Sequence, residues 1–285
     1  MRALYDVPAP AKLNLFLHIT GRRDDGYHLL QSAFMLIDWC DTLHFELRDG
    51  GSVSRKDLGT ALPADDLILR AARALQQATH ARQGAHIAID KRIPAQAGMG
   101  GGSSDAASTL LALNRLWDLK LTRAQLAEIG LSLGADVPFF LSGGHAWVEG
   151  VGEQITPLAL APARFAVVKP PQGLDTGEIF RADDLTRDSK PATILGFAAD
   201  AYGFGRNDLQ PVAEGLCPQV SEAVALLKHH GLSGKMTGSG SAVFAVLPHA
   251  VQVKNLAIEV PTDWQVRVCS NLEFHPLVGW ASSDD

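Results

Sequence analysis

The chain has 285 residues, a hydrophobic fraction of 46% and a net charge of −6. That is enough apolar material for one large or two ordinary domains, and it excludes a disordered chain. No overall basic field invites nucleic acid, no apolar run approaches the roughly 18 residues of a membrane span, and no leader opens the chain. A cytoplasmic globular protein with neither nucleic-acid nor membrane partners is expected.

The first element is "AKLNLFLHIT" (11–20). Its alternation puts Leu13, Leu15 and Leu17 on one face and Lys12, Asn14 and His18 on the other, the pattern of a half-buried strand. After the turn "GRRDDG", "YHLLQSAFMLI" (27–37) and "DTLHFELRD" (41–49) read as two further strands. Residues 67–81 follow Asp65 and Asp66 with apolar residues at helical spacing, which predicts a helix with an Asp cap. "AHIAIDKRI" (85–93) alternates again and stops at Pro94. Two helices then fit, over 103–117 and over 122–134 with Thr122 as cap.

The Pro- and Ala-rich stretch 157–162 marks a domain boundary before the strand "RFAVVKP". Beyond it come a helix at 218–230, strands in "GKMTGSGSAVFAVL", a helix near 249–259, the strand "WQVRVCS" and a frayed tail, "GWASSDD". The class is α+β in two domains, 1–158 and 159–285. Cys40, Cys217 and Cys269 are odd in number and far apart, which predicts buried thiols and no disulfide framework or zinc site.

The informative stretch is "PAQAGMGGGSSDAAS" (94–108), a glycine-rich loop between a strand and a helix. A helix N-terminus leaves about four N–H groups unpaired and carries partial positive charge, so a phosphate can bind there, with Ser103 and Ser104 adding hydroxyls. A flexible surface turn before a capped helix is the competing reading. G-x-x-x-x-G-K-[ST] and G-x-G-x-x-G are both absent, as is a G-x-S-x-G elbow.

The pattern present is P-x-x-x-G-M-x-x-x-S-S-x-A, and with it the chain resembles the GHMP kinase superfamily of small-molecule kinases. "APAKLNLFLHITGRRDDGYHLL", "GADVPFF" and "MTGSGSAVFAV" match further motifs in the family's order, from residue 9 to about 247. The resemblance implies an N-terminal half like ribosomal protein S5 domain 2 and a C-terminal ferredoxin-like α/β sandwich. It also implies ATP and Mg²⁺ as cofactors, and a monomer or homodimer. The branch matched phosphorylates the 2-hydroxyl of a cytidine diphosphate-linked methylerythritol, a small-molecule substrate of the non-mevalonate route to isoprenoid precursors.

Asp136 of "GADVPFF" then corresponds to the group that receives the hydroxyl proton; on pattern alone it is a turn or cap residue. Lys12 would pair with it, and Asn14, on the same strand face, would bond the acceptor. ATP would contact Pro94, Ala95, Gln96, Ala97, Gly98, Met99, Gly100, Gly101, Gly102, Ser103 and Ser104, with Lys91 and Asp66 on the adenine side. Tyr27, His28, Phe180 and Thr176 match a cytosine pocket; as bare residues they read as packing and surface.

Gly238, Ser239 and Gly240 form a second glycine turn, which either supports the phosphate loop or only joins elements tightly. Ser104 is the candidate metal ligand, with Glu149 and Asp105 left open. Gln96 and Ala97 stand where the family often has glycine, and as L-residues they are expected at ordinary dihedrals. A kinase for homoserine, a mevalonate-type acceptor or a sugar, and a non-catalytic nucleotide-binding protein on the same scaffold, are the alternatives.

Overall fold

The computed structural model describes residues 1–248 and 260–283. Its first half contains β1 (Ala3–Arg22), β2 (His28–Arg48), β3 (Val53–Asp57), α1 (Leu67–Thr79), β4 (Gly84–Asp90), α2 (Gly101–Leu116), α3 (Arg123–Leu131), α4 (Val137–Ser142), β5 (His145–Glu149) and β6 (Gln154–Leu158). The second half contains β7 (Arg164–Lys169), α5 (Thr176–Arg181), α6 (Ile194–Ala198), α7 (Gln210–Leu216), α8 (Pro218–His229), β8 (Lys235–Met236), β9 (Val243–Val246) and β10 (Gln265–Ser270). The helix expected near 249–259 lies outside the described residues.

Strands β1 to β6 build one sheet in the order β3-β4-β2-β5-β6, with β1 along the other edge of β2; only β3 and β4 run parallel. The two strands expected at 27–37 and 41–49 are one continuous strand, β2. It pairs with β1 throughout, with β5 near its start and with β4 near its end. Bulges in the β1–β2 ladder, as between Pro10 and Lys12, bend the pair without breaking it, so residues 38–40, left between the two expected strands, stay extended. The second sheet, β10-β7-β9-β8, is antiparallel.

Three apolar clusters hold the molecule together. The first lies between the large sheet and α1 to α4, the second between the small sheet and α7 and α8. The third joins the two sheets: Leu13 and Leu15 of β1 and Met35 of β2 meet Phe165 of β7 and Phe244 of β9, with Met99 of the glycine loop among them. Leu13 and Leu15 thus face the third cluster. The register shift between Asn14 and Leu17 turns Leu17 to the second cluster and to the side of Lys12 and Asn14, and His18 to Phe16 and Phe204, so the expected faces of β1 hold only as far as Leu15. Lys12 is 4% and Asn14 1% exposed, so their side of the strand is buried too.

As far as it is described, to Ser283, the tail expected to fray is packed against the first half. Leu277 and Ala281 join the first core, the Arg115 guanidinium lies 4.9 Å from the Trp280 ring, and the Ser282 carbonyl accepts from the Arg123 N–H at 3.0 Å. The three cysteines are free thiols, Cys217 and Cys269 buried and Cys40 partly so. Among the described residues no helix is long and apolar enough to cross a membrane.

Candidate active site

Capping separates α2 from its neighbours. Asp66 caps α1 by accepting from the Leu69 N–H at 3.1 Å, and Thr122 with Gln125 forms a capping box on α3. At α2 the N-cap is Gly100 and no side chain caps the helix. Residues 94 to 103 line a cavity of about 640 Å³, so this uncapped, positive helix end opens into space.

The loop is held in place by the other half of the chain. A Cβ on Gly98, where φ is +71°, would sit 2.1 Å from the Thr237 carbonyl oxygen, and one on Gly238 2.6 Å from the Gly98 carbonyl oxygen. Two backbones touch there, which only glycine permits. The Ser241 N–H donates to the Gln96 carbonyl (3.2 Å) and the Ala242 N–H to the Ala97 carbonyl (3.3 Å). Of the second turn, Gly238 and Ser239 line the cavity and Gly240 lies behind them. Gln96 departs from expectation with φ at +50°, a left-handed conformation costing about 1 kcal/mol for an L-residue; Ala97 keeps a negative φ. The docked backbone dictates the first of these dihedrals, and the residue type does not.

Lys12 and Asp136 meet across the cavity floor, Nζ 3.7 Å from Oδ2. Asp136 is the N-cap residue of α4, yet its carboxylate makes no cap bond and is left for Lys12 and the cavity. The Lys12 amine donates to Asn14 Oδ1 and lies 4.6 Å from the Phe34 ring centre. Burial pushes its pKa below the ordinary 10.5, while the Asp136 charge opposes that shift. Asn14 is fixed in turn: its Nδ2 donates to Ser32 Oγ and its backbone N–H to Thr237 Oγ1, each at 2.9 Å.

Lys91 and Asp66 both line the cavity with their charges already engaged. Asp66 pairs with Arg55 at 2.8 Å. Lys91 donates to Asp41 and, at 2.7 Å, to Asp105 Oδ2. Burial works against the Lys91 charge, but the two carboxylates outweigh it and hold its pKa above the usual range; burial drives Asp105 the opposite way, toward its protonated form.

Ser104 is a correction. It is fully buried, and its hydroxyl donates to the Pro10 carbonyl at 2.7 Å, facing β1 and not the cavity. Ser108, one turn on, donates likewise to the Pro8 carbonyl (2.9 Å), so both serines lie on the strand-facing side of α2. Ser103 is the serine that reaches the cavity. Glu149 accepts from Gln31 at 2.6 Å away from both cavities, and among the described residues no group of three or more His, Cys, Asp or Glu could hold a metal ion.

A second cavity of about 650 Å³ adjoins the first; Leu30, Ser103, Asp136, Thr176 and Phe180 line both. Tyr27 and His28 lie in it, Tyr27 being 65% exposed. The ring facing Phe180 is that of His28, with centres 5.1 Å apart. Thr176 Oγ1 lies 2.7 Å from Ser239 Oγ, tying α5 to the second glycine turn. Sequence reasoning missed Thr237, which anchors Asn14, and the apolar wall of Leu62, Pro63 and Leu67 in the first cavity. Leu62 and Pro63 lie in an irregular connection with no periodicity to reveal them.

Two cavities that meet at a carboxylate and an amine, one floored by an uncapped helix end, suit transfer of a group from an anionic donor to an acceptor. Residues 66–144 match the family model described as GHMP kinases N terminal domain, and residues 192–264 match GHMP kinases C terminal. A protein of Paracidovorax citrulli named 4-diphosphocytidyl-2-C-methyl-D-erythritol kinase is 66% identical over the full length of both chains. The chain belongs to the GHMP kinases.

A Variovorax paradoxus protein of the same name is 63% identical, covering 99% of this chain and 100% of its own. Among solved structures, one described as 4-(cytidine 5'-diphospho)-2C-methyl-D-erythritol kinase matches with a TM-score of 0.79 and 33% identity, over 93% of this chain and 98% of that one. A homoserine kinase from Cytophaga hutchinsonii shares the fold at a TM-score of 0.71 and 16% identity, over 96% of each chain. As a GHMP kinase this chain is an enzyme that uses ATP to phosphorylate an alcohol on a small molecule, and its α+β architecture is the one expected.

Proposed function

We propose that the acceptor is 4-diphosphocytidyl-2-C-methyl-D-erythritol, the compound in the names of its relatives, and that its 2-hydroxyl receives the phosphoryl group, in the route to isoprenoid precursors. The observation that carries this reading is the second cavity, whose aromatic rim of Tyr27, His28 and Phe180 suits a base and opens onto Asp136. A homoserine or mevalonate acceptor has no base to place there.

In this reading the triphosphate lies along residues 98–103, its charge met by the free N–H groups of α2 and by the Ser103 hydroxyl. Leu62, Pro63 and Leu67 form the apolar end of the same cavity and take the adenine. Asp136 accepts the proton of the attacking hydroxyl. Lys12 orients that carboxylate and offsets the charge that builds on the oxygen, and Asn14 bonds the acceptor. In a loose phosphoryl transition state the proton moves late, so holding these groups in register supplies most of the rate.

Mg²⁺ would be held chiefly by the triphosphate, in keeping with its habit of retaining waters and binding substrate phosphates, and would offset the phosphate charge there. Residues 1–158 carry the phosphate loop and the reacting pair, and residues 159–285 the second glycine turn and Phe180. Purified protein with ATP and this acceptor is expected to release ADP at a rate that homoserine, mevalonate and hexoses do not support. Equal rates with those acceptors, or none with this one, reject the assignment.

A further inference from the structure

Arg187 sits in the polar stretch "ADDLTRDSK", where sequence offers no reason to single it out. In the structure all five of its N–H donors are engaged. Nη1 reaches the carbonyls of Asp183 (3.4 Å) and Leu185 (3.1 Å), and Nη2 those of Phe180 (3.3 Å) and Ala182 (2.6 Å). Nε donates to Nε2 of His28 at 3.1 Å. The residue thus grips the turn that carries Phe180 and the imidazole stacked on it.

A guanidinium has donors only. The Nε2 it contacts must therefore accept, which makes the His28 ring neutral with its proton on Nδ1. Among the described residues Nδ1 has no protein partner, and His28 lines the second cavity. We propose that Arg187 is a positioning residue for acceptor recognition, fixing His28 as the Nδ1–H tautomer so that the cavity offers one N–H donor to a base with an unprotonated ring nitrogen.

Cytosine presents such a nitrogen, and uracil presents an N–H in its place. Two donors facing each other lose the bond and bury unpaired hydrogens, so the arrangement selects between the two bases. The charges around His28 act the same way. Burial and the positive charges of Arg187 and Arg22 lower its pKa, and Arg181, Asp25 and Asp136 also line the cavity. The inference rests on the second cavity being the base pocket.

The test uses ¹⁵N-histidine-labelled protein and two probes, CDP and UDP. Nitrogen shifts of His28 are expected to show the Nδ1–H tautomer in the wild type at pH 7, and a mixture that protonates at higher pH in Arg187→Met. Calorimetry is expected to show CDP bound more tightly than UDP, with the ratio about 10-fold smaller in Arg187→Met. In a His28→Ala background the same substitution should leave the ratio unchanged, because Arg187 acts through that ring.

An Nε2–H tautomer in the wild type, an undiminished ratio, or an equal loss in the His28→Ala background overturns the proposal. If Arg187→Met does not fold, the wild-type tautomer and Arg187→Lys decide it: the single ammonium of lysine cannot reproduce the planar fork of donors and should weaken the CDP preference, and full retention counts against it. The nitrogen shifts need no turnover, so they stand or fall separately from the identity of the acceptor.

Discussion

Gly98 and Thr237, from opposite halves of the chain, meet backbone to backbone, so closely that a single added carbon on Gly98 would lie 2.1 Å from the Thr237 carbonyl oxygen. The phosphate loop is thereby shaped by a partner 139 residues away and not by its own flexibility.

Gly98→Ala should be destabilising by about 3 kcal/mol, since it combines a strained φ with an overpacked contact. In the fraction that folds, kcat/KM for ATP should fall by about 10²-fold, the cost of moving a cradle by an ångström. Urea unfolding and steady-state kinetics check both. A variant as stable and active as the parent removes the contact from the account.

Ser103 and Ser104 should separate cleanly. Ser103→Ala should raise KM for ATP, because that hydroxyl lines the cavity. Ser104→Ala should leave KM and kcat nearly unchanged while lowering stability by about 1 kcal/mol, because it orphans the Pro10 carbonyl. The reverse pattern would put the wrong serine at the phosphates.

Much of this was legible in the sequence. Period-2 alternation placed Lys12 and Asn14 together, and they touch; the Asp66 and Thr122 caps are present as expected. The misses share one cause, which is that distant partners override local pattern. Gln96 takes a positive φ because residues 240 to 242 dock on its loop. β2 runs straight through Asp38 to Asp41 because β1 pairs with it on the far side. Arg187 lies in a stretch without periodicity, and only the fold brings it to His28. The spacing of Ser104 and Ser108 shows that they share one side of α2, but only the fold shows that this side faces β1.

Lys12 gives the reaction a pH signature. Its pKa is depressed, so its charge is lost as pH rises, earlier than for an ordinary lysine at 10.5. The log kcat profile should turn down on the alkaline side below that value, and Lys12→Met, slower by roughly 10²-fold, should lack the limb. An identical limb in the variant assigns the titration elsewhere.

His145 and His275 predict acid lability. Burial lowers both to about 4, so in the folded state they stay neutral while in the unfolded chain they protonate near 6.5. The unfolded state binds more protons in that window; stability is therefore full above about 6.5 and falls as pH drops toward 4. At pH 5 each should cost about 2 kcal/mol, measurable by denaturant unfolding at pH 7 and pH 5, and His145→Phe should shrink the difference.

The most direct test of the whole account is single-turnover phosphoryl transfer by Asp136→Asn with ATP and 4-diphosphocytidyl-2-C-methyl-D-erythritol, alongside ATP binding by calorimetry. Retained nucleotide affinity with a rate lower by roughly 10² to 10⁴ is the expected result. A rate within a few-fold of the wild type would contradict it, and would show that the carboxylate 3.7 Å from Lys12 takes no part in preparing the hydroxyl.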